Sequence, residues 1–463
     1  ENIFAPVIRG ATMRTAIALL GTDPRKMYIT SCDISNAFLN ATPKEKVFIR
    51  WPPGFPTVDV KNVYRLLRSL YGLCQSPKEW YECLRDWLRE KRYNQSKADP
   101  CLWTKKGPDG SLRLILVYVD DMLILADDKT IAAEVKEMFR GQFNMTEVED
   151  ADKVIGVEIF RVKGGICLGQ PTYAKTLMEK ADLWIENENR KYPINPISES
   201  WTHDERSGYL DRKEKDFYVS FLMSIAWMSQ QTRPDLCASA SILARYLGKP
   251  TKSDLAALKR LLLYVRGSWN DVLYYQDSRK GELIHEESAL HIRDKPPGDI
   301  CSYVDADWAN DADRVSRSGV VILARGAPIV WMSKKQSMVA TSSTEAEYYA
   351  AAASVAEVAG VRSVLVDLGM EQKTPTRIYE DNKSCIAIAY KPMHHGRTKH
   401  FDIKAHFLRD RIEKEEVEIK YCPTSEMIAD MLTKSLPGPQ HQRLKRLANI
   451  RPLSSFEIVK LNP

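Results

Sequence analysis

Leu112-Arg113-Leu114-Ile115-Leu116-Val117-Tyr118-Val119-Asp120-Asp121-Met122-Leu123-Ile124-Leu125-Ala126 joins two apolar, strand-forming runs through a pair of adjacent carboxylates. The pattern predicts strands over Leu114–Val119 and Met122–Ala126 with Asp120 and Asp121 between them. A two-residue hairpin loop prefers Asn-Gly or Asp-Gly, because both central residues take positive φ. Asp-Asp is a poor loop and sets two like charges side by side. Carboxylates gathered at a strand end can instead hold divalent metal, whose charge offsets their repulsion. The chemistry would then be phosphoryl transfer, one ion activating a hydroxyl and the other supporting the leaving pyrophosphate. Asp33, at the end of a predicted strand Met27–Cys32 and before a short helix over Ser35–Asn40, is the candidate third carboxylate. On spacing alone a solvated turn, with Asp33 as a helix cap, stands as an equal alternative.

Around this stretch the chain has ordinary globular composition: 44% hydrophobic and 28% charged residues over 463 positions. That excludes a disordered tail, a collagen-like rod and a small disulfide scaffold, and the length suits two to four domains. The net charge of +6 permits nucleic acid as a partner without requiring it. Nine scattered cysteines include no Cys-x-x-Cys and no zinc spacing, so a reducing compartment is expected. No apolar run reaches membrane-spanning length without a charge, and no membrane is expected. Glu1 opens the sequence without a signal pattern, which reads as an internal piece of a longer polypeptide.

Further along, helical spacing marks Trp80–Lys91, a hairpin turns at Gly164-Gly165, and Phe217–Gly267 is mostly helical with breaks at Arg233-Pro234 and Lys249-Pro250. After a charged linker over Glu286–Gly298 come strands Ile300–Val304, Gly319–Ala324 and Ile329–Ser333, then a helix over Thr344–Leu368. A strand at Arg377–Tyr379, helices at Ser384–Tyr390 and His400–Lys414, a strand at Val417–Tyr421 and a helix over Glu426–Leu432 complete an αβ unit. Asp305 and Asp381 fall at strand ends, Glu345 and Glu347 in the first turn of the long helix, and Asp430 in the last one. Converged on one patch, such carboxylates suit two-metal phosphodiester hydrolysis. Singly, each has an ordinary role: Ser342-x-x-Glu345 and Thr344-x-x-Glu347 both fit a capping box, and the aspartates fit turns.

Tyr118-Val119-Asp120-Asp121 resembles the Tyr-x-Asp-Asp box of reverse transcriptases. Phe4-Ala5-Pro6-Val7, Asp33 to Asn40, Pro52-Pro53-Gly54-Phe55, Leu70 to Pro77, Asp99 to Leu102 and Thr232 to Leu236 are similar, in order, to blocks of copia-type LTR retrotransposon polyproteins. The resemblance covers about residues 1–435. It implies that Asp33, Asp120 and Asp121 are the polymerase metal ligands, with Tyr118 beside them. It also implies that Phe38 packs under the incoming sugar and that Gly156 lies where the primer backbone is gripped. The C-terminal unit resembles the family's ribonuclease H. There the resemblance implies Asp305, Glu347, Asp381 and Asp430 as metal ligands, leaving Glu345 to cap the helix. The block Arg397-Thr398-Lys399-His400 matches as well, and its basic residues Arg397, Lys399 and His400 suit contact with phosphates.

The implied fold is an α+β palm/fingers-type polymerase, then a helical connection, then an α/β RNase H-like domain. The implied domains are fingers and palm over 1–190, thumb or connection over 191–297, an RNase H-like domain over 298–436 and a weakly specified tail over 437–463. The cofactor expected is Mg²⁺, with Mn²⁺ as a substitute. Partners would be an RNA template, a DNA primer, RNA/DNA hybrid, deoxynucleoside triphosphates and other parts of the Pol polyprotein. The location would be intracellular, in a cytoplasmic virus-like particle or the nucleus. Two departures stand out: the family's upstream fingers strand is missing, and Cys74 stands where the family has Lys. No histidine occupies the loop Tyr421–Glu426 before the last carboxylate, and no Asp-Thr/Ser-Gly protease motif occurs. A nuclease-only enzyme with a truncated polymerase half and an inactive, domesticated nucleic-acid-binding remnant are the alternatives.

Overall fold

A computed structural model of the chain describes residues 3–22, 27–50, 54, 63–148, 151–184, 191–277, 300–308, 314–390 and 402–459. The chain divides into two compact units, residues 1–13 with 25–155, and residues 14–24 with 156–463. The expected boundaries at 190/191 and 436/437 fall inside the second unit.

The first unit is built on a six-stranded antiparallel sheet. Its strands run Asn94–Gln95, Leu102–Lys106, Leu112–Tyr118, Asp121–Ala126, Tyr28–Ile34 and Met145–Val148 in spatial order. Leu114, Ile115, Leu116, Leu123, Ile124 and Leu125 are all buried, so consecutive rather than alternate residues are covered and both sheet faces are packed. Helices Ser76–Glu90 and Lys129–Arg140 meet through an aromatic cluster, with Trp87 ring centroids 5.0 Å from Phe139 and 4.9 Å from Phe143. Asp99 in the Asp99–Leu102 block folds the chain locally: its carboxylate accepts from the Cys101 and Arg9 amides, each at 3.0 Å.

Two details differ from the sequence reading. The strand carrying Asp33 runs on to Ile34, and Ser35–Asn40 yields only a 3₁₀ turn over Ala37–Asn40. The hairpin loop is Val119-Asp120, not Asp120-Asp121, because Asp121 pairs with Tyr118 as the first residue of its strand. Val119 adopts φ 58°, a left-handed conformation that a β-branched residue reaches at a cost of about 1–2 kcal/mol.

In the second unit, helices Pro171–Lys180, Arg212–Gln231, Cys237–Ala244 and Lys252–Gly267 share a core that includes Met178, Tyr218, Leu222, Leu258 and Leu261. Capping boxes at Asp211/Glu214 and Thr251/Asp254 start two of these helices. Arg233, from the Thr232–Leu236 block, is fully buried. Its fork donates to both Asp235 oxygens at 2.9 and 2.7 Å and to the Ser268 carbonyl at 2.9 Å.

Residues 437–459 are not a loose tail. Helix Gly438–Leu447 follows Pro437, a helix-start signal, and buries His441, Leu444 and Leu447 at helical spacing. Strand Ile450–Pro452 then extends a sheet in which Asp271–Gln276, Gly165–Gly169 and Val157–Val162 follow in order.

The remaining sheet of this unit orders its strands Ala327–Lys335, Arg317–Ala324, Ile300–Asp307, Thr376–Glu380 and Val417–Tyr421. The first three are antiparallel neighbours; Thr376–Glu380 lies parallel to Ile300–Asp307, and Val417–Tyr421 parallel to Thr376–Glu380. Helix Ser343–Asp367 makes the crossover. By length and composition it could cross a membrane, yet its apolar residues Ala346, Tyr348, Ala350, Val355 and Val358 are buried within the unit. Ser354 hydrogen-bonds Ser302 of the sheet at 2.8 Å. The helix expected over Glu426–Leu432 is instead two 3₁₀ turns, Thr424–Glu426 and Ile428–Leu432, interrupted by extended Met427.

Candidate active sites

In the first unit, strand register places Asp33 directly opposite Asp121, and the Val119-Asp120 loop brings Asp120 beside both. The loop is held from two sides. Trp80 Nε1 donates to the Val119 carbonyl at 2.7 Å, and the Ile34 amide donates to the Asp120 carbonyl at 2.9 Å. Burial first, then the like charge of Asp120, raises the pKa of Asp33; burial, Asp120 and Asp33 raise that of Asp121. Tyr71 Oη donates to Asp120 Oδ2 at 3.2 Å, and its ring lies 4.2 Å from that of buried Phe38. Tyr118 closes the strand before the loop.

Gly156 belongs to the second unit. It has φ 73°, and a Cβ there would fall 2.7 Å from Trp227 Cη2, so both backbone and packing require glycine. Arg397, Lys399 and His400 lie outside the described residues.

The second unit assembles the other cluster. Tyr303 pairs with Tyr379 across the parallel strands, which brings Asp305 level with Asp381, just past the strand end. Glu347 reaches in from the second turn of Ser343–Asp367. Carboxylate oxygens of Asp305, Glu347 and Asp381 all lie within 4.8 Å of one another. Asp33, Asp120 and Asp121 do not reach that closeness. Glu345 is committed elsewhere, accepting from the Thr341 amide at 2.7 Å and from Tyr349 Oη at 3.0 Å. Glu347 Oε2 is buried without a hydrogen-bond partner.

Asp430 joins from the Ile428–Leu432 turn. Lys434 Nζ stands 3.0 Å from Asp430 Oδ1 and 3.7 Å from Asp305 Oδ2, and Thr433 Oγ1 donates to Asp305. Gly319, paired with Asp305, makes room for this turn: a Cβ there would meet Thr433 Cγ2 at 2.7 Å and the Ala429 carbonyl at 2.9 Å.

Charge is crowded here. Burial, then Glu380 and Asp305, push Glu347 up to about 11; burial and Asp305 push Asp430 up to about 8. Glu380, fully buried, is raised well above the usual carboxylate range, chiefly by burial. Burial pulls the pKa of Lys434 down, but Asp305 and Asp430 outweigh it and hold the ammonium charged. This is the electrostatics of a set of oxygen donors short of positive charge, and it fits hard divalent cations. Sequence reasoning missed Tyr71, Glu380, Thr433 and Lys434. Of these, Lys434 carried a signal, lying four residues after Asp430.

A family model described as reverse transcriptase (RNA-dependent DNA polymerase) matches residues 1–196. The retrovirus-related Pol polyprotein from transposon TNT 1-94 of Nicotiana tabacum is 30% identical over 459 residues, covering 97% of this chain and 33% of that protein. The corresponding polyprotein from transposon RE1 of Arabidopsis thaliana is 32% identical over 438 residues, covering 94% of this chain and 28% of its own length. The chain therefore spans about a third of the length of the curated relatives it matches. A solved foamy viral protease-reverse transcriptase in complex with dsDNA is 12% identical, covers 91% of this chain and 70% of that one, and superposes with a TM-score of 0.43.

Proposed function

Because this chain belongs to the reverse transcriptase family of copia-type retrotransposon Pol polyproteins, we propose that it copies RNA into DNA and degrades the RNA strand of the resulting hybrid. The single observation that carries the second activity is the convergence of Asp305, Glu347 and Asp381 within 4.8 Å, with Asp430 tied to Asp305 through Lys434. An α/β RNase H-like arrangement agrees with that sheet, in which carboxylates sit at the ends of adjacent parallel strands.

Asp33, Asp120 and Asp121 in the first unit, and Asp305, Glu347, Asp381 and Asp430 in the second, would hold divalent ions, Mg²⁺ with Mn²⁺ as a substitute. Bound there, such ions activate the attacking oxygen and neutralise the charge that builds on the phosphate. The protein's share is positioning. The Trp80-anchored loop fixes Asp120 against Asp33 and Asp121, and Phe38 under Tyr71 forms a rigid wall. A ring at that position would exclude a sugar 2′-hydroxyl and so favour deoxynucleotides. In the second unit the 3₁₀ turn seated on Gly319 delivers Asp430 to Asp305, and Lys434 stands as a cation between them. Partners are then an RNA template, a DNA primer, RNA/DNA hybrid, deoxynucleoside triphosphates and neighbouring parts of the polyprotein. The place of action is inside the cell, in a virus-like particle or the nucleus.

The test is primer extension on an RNA template together with cleavage of a labelled hybrid. Wild type should do both in Mg²⁺, and an Asp120→Asn/Asp121→Asn variant should cleave without extending. Cleavage without extension by wild type would favour the nuclease-only reading. Hybrid binding without turnover by either protein would favour the inactive remnant.

A further inference from the structure

The C-terminal helix Gly438–Leu447 and strand Ile450–Pro452 bring three cations, Lys445, Arg446 and Arg451, to one cavity of about 410 Å³ in the second unit. Tyr192, Ser268 and Asp271 line it as well. This volume lies in the range of small-molecule sites. The acid in the wall is already used: Asp271 is buried, ion-paired to Lys445 and 3.9 Å from Arg233. Arg446 is exposed and Arg451 half-buried, and among the described residues neither pairs with a carboxylate. Among the described residues the one side-chain bond of Arg451 runs from Nη2 to Asn449 Oδ1 at 3.1 Å, and its buried Nε finds no acceptor there. Burial chiefly weakens the hold of Arg451 on its proton; Tyr274 opposes this and the like charge of Arg446 adds to it, so the two guanidinium groups repel each other. Favourable interaction with the helix C-terminus accounts for Lys445 and Arg446 but not for Arg451, which lies beyond the helix.

Planar forks with no carboxylate partner, and in Arg451 a buried Nε with no acceptor, match the oxygens of a phosphate group at the wall of a cavity. We propose that this cavity is a phosphate-binding site, gripping its ligand through Arg446 and Arg451, while Lys445 neutralises the Asp271 carboxylate that would otherwise repel it. The phosphate comes either from the backbone of a bound nucleic acid, which rests on the reading above, or from a free phosphate compound, which does not.

The test uses the full chain and its Arg446→Gln/Arg451→Gln variant. Calorimetry with pyrophosphate is the first arm. The second is the affinity for an 18-bp RNA/DNA hybrid without divalent ions, from 50 to 200 mM salt. A backbone phosphate predicts hybrid binding weakened ~10-fold or more, with a log–log salt slope shallower by about 0.9. A free phosphate predicts loss of pyrophosphate binding with the hybrid unaffected. Should the double variant melt early, Arg446→Gln alone carries the test, since Arg446 is exposed and its side chain makes no hydrogen bond or ion pair with the described residues. Absence of pyrophosphate binding by wild type, with hybrid affinity and slope unchanged in the variant, overturns the proposal. Failure of wild type to bind hybrid at all counts against the proposed function, and the pyrophosphate arm still decides the cavity.

Discussion

Gly319→Ala probes how the second carboxylate cluster is assembled. The new Cβ would fall 2.7 Å from Thr433 Cγ2, 2.9 Å from the Ala429 carbonyl oxygen and 3.0 Å from Leu432 Cβ. Two of these contacts belong to short side chains and one to backbone, so no flexible side-chain end can move aside. The Ile428–Leu432 turn must shift by several tenths of an ångström or more, at about 1–3 kcal/mol of overpacking. That shift carries Asp430 and Thr433 away from Asp305. A misplacement of about 1 Å costs on the order of 100-fold in rate. Steady-state cleavage of a hybrid should therefore fall ~10- to 100-fold, with primer extension unchanged because its carboxylates lie in the other unit. Adding Thr433→Ser removes the 2.7 Å clash, keeps the hydroxyl that donates to Asp305, and should restore part of the rate. Wild-type cleavage by Gly319→Ala, in a protein whose melting temperature has also not moved, would refute this reasoning.

Three further outcomes follow from the same contacts. Trp80→Phe deletes the donor to the Val119 carbonyl and frees a strained loop, so extension should drop about tenfold while hybrid cleavage holds. Arg233→Met leaves Asp235 buried without its counter-charge and should cost about 3–5 kcal/mol in urea unfolding, with Arg233→Met/Asp235→Leu recovering most of it. His441 is buried, and burial lowers its pKa from 6.5 to about 4. Between these values the unfolded chain binds the extra proton, so stability rises with pH across that window by about 3 kcal/mol and is lost as pH falls. His441→Phe should flatten that part of a pH-dependent urea series, and an unchanged slope would place the acid sensitivity elsewhere.

Much of this architecture is legible in the sequence because charged residues interrupt strongly apolar runs. Asp120 and Asp121 interrupt an apolar hairpin, and Asp305 and Asp381 stand at or next to the ends of the strands read around Tyr303 and Tyr379. The Val119-Asp120 loop was not legible, because a valine at φ 58° runs against its intrinsic preference and is held by Trp80 from a distant helix. Tyr71 and Glu380 gain their roles from neighbours brought close only by folding. Gly319 reads in sequence as an ordinary strand glycine; its purpose appears once the Asp430 turn lies against it. The helix over 438–447 was not legible: the sequence reads as a weakly specified tail there, because charged and polar neighbours obscure the stripe of His441, Leu444 and Leu447.

The most direct measurement is primer extension along a 5′-labelled RNA template in Mg²⁺, with DNA product and RNA fragments read from the same reaction. Wild type should lengthen the primer and shorten the template. Asp120→Asn/Asp121→Asn should not lengthen the primer and should cut the RNA only where primer or preformed hybrid covers it, and Glu347→Gln should lengthen the primer while leaving the RNA whole. Template cleavage by Glu347→Gln at the wild-type rate, or extension that survives loss of both aspartates, would contradict the assignment of two separate carboxylate centres.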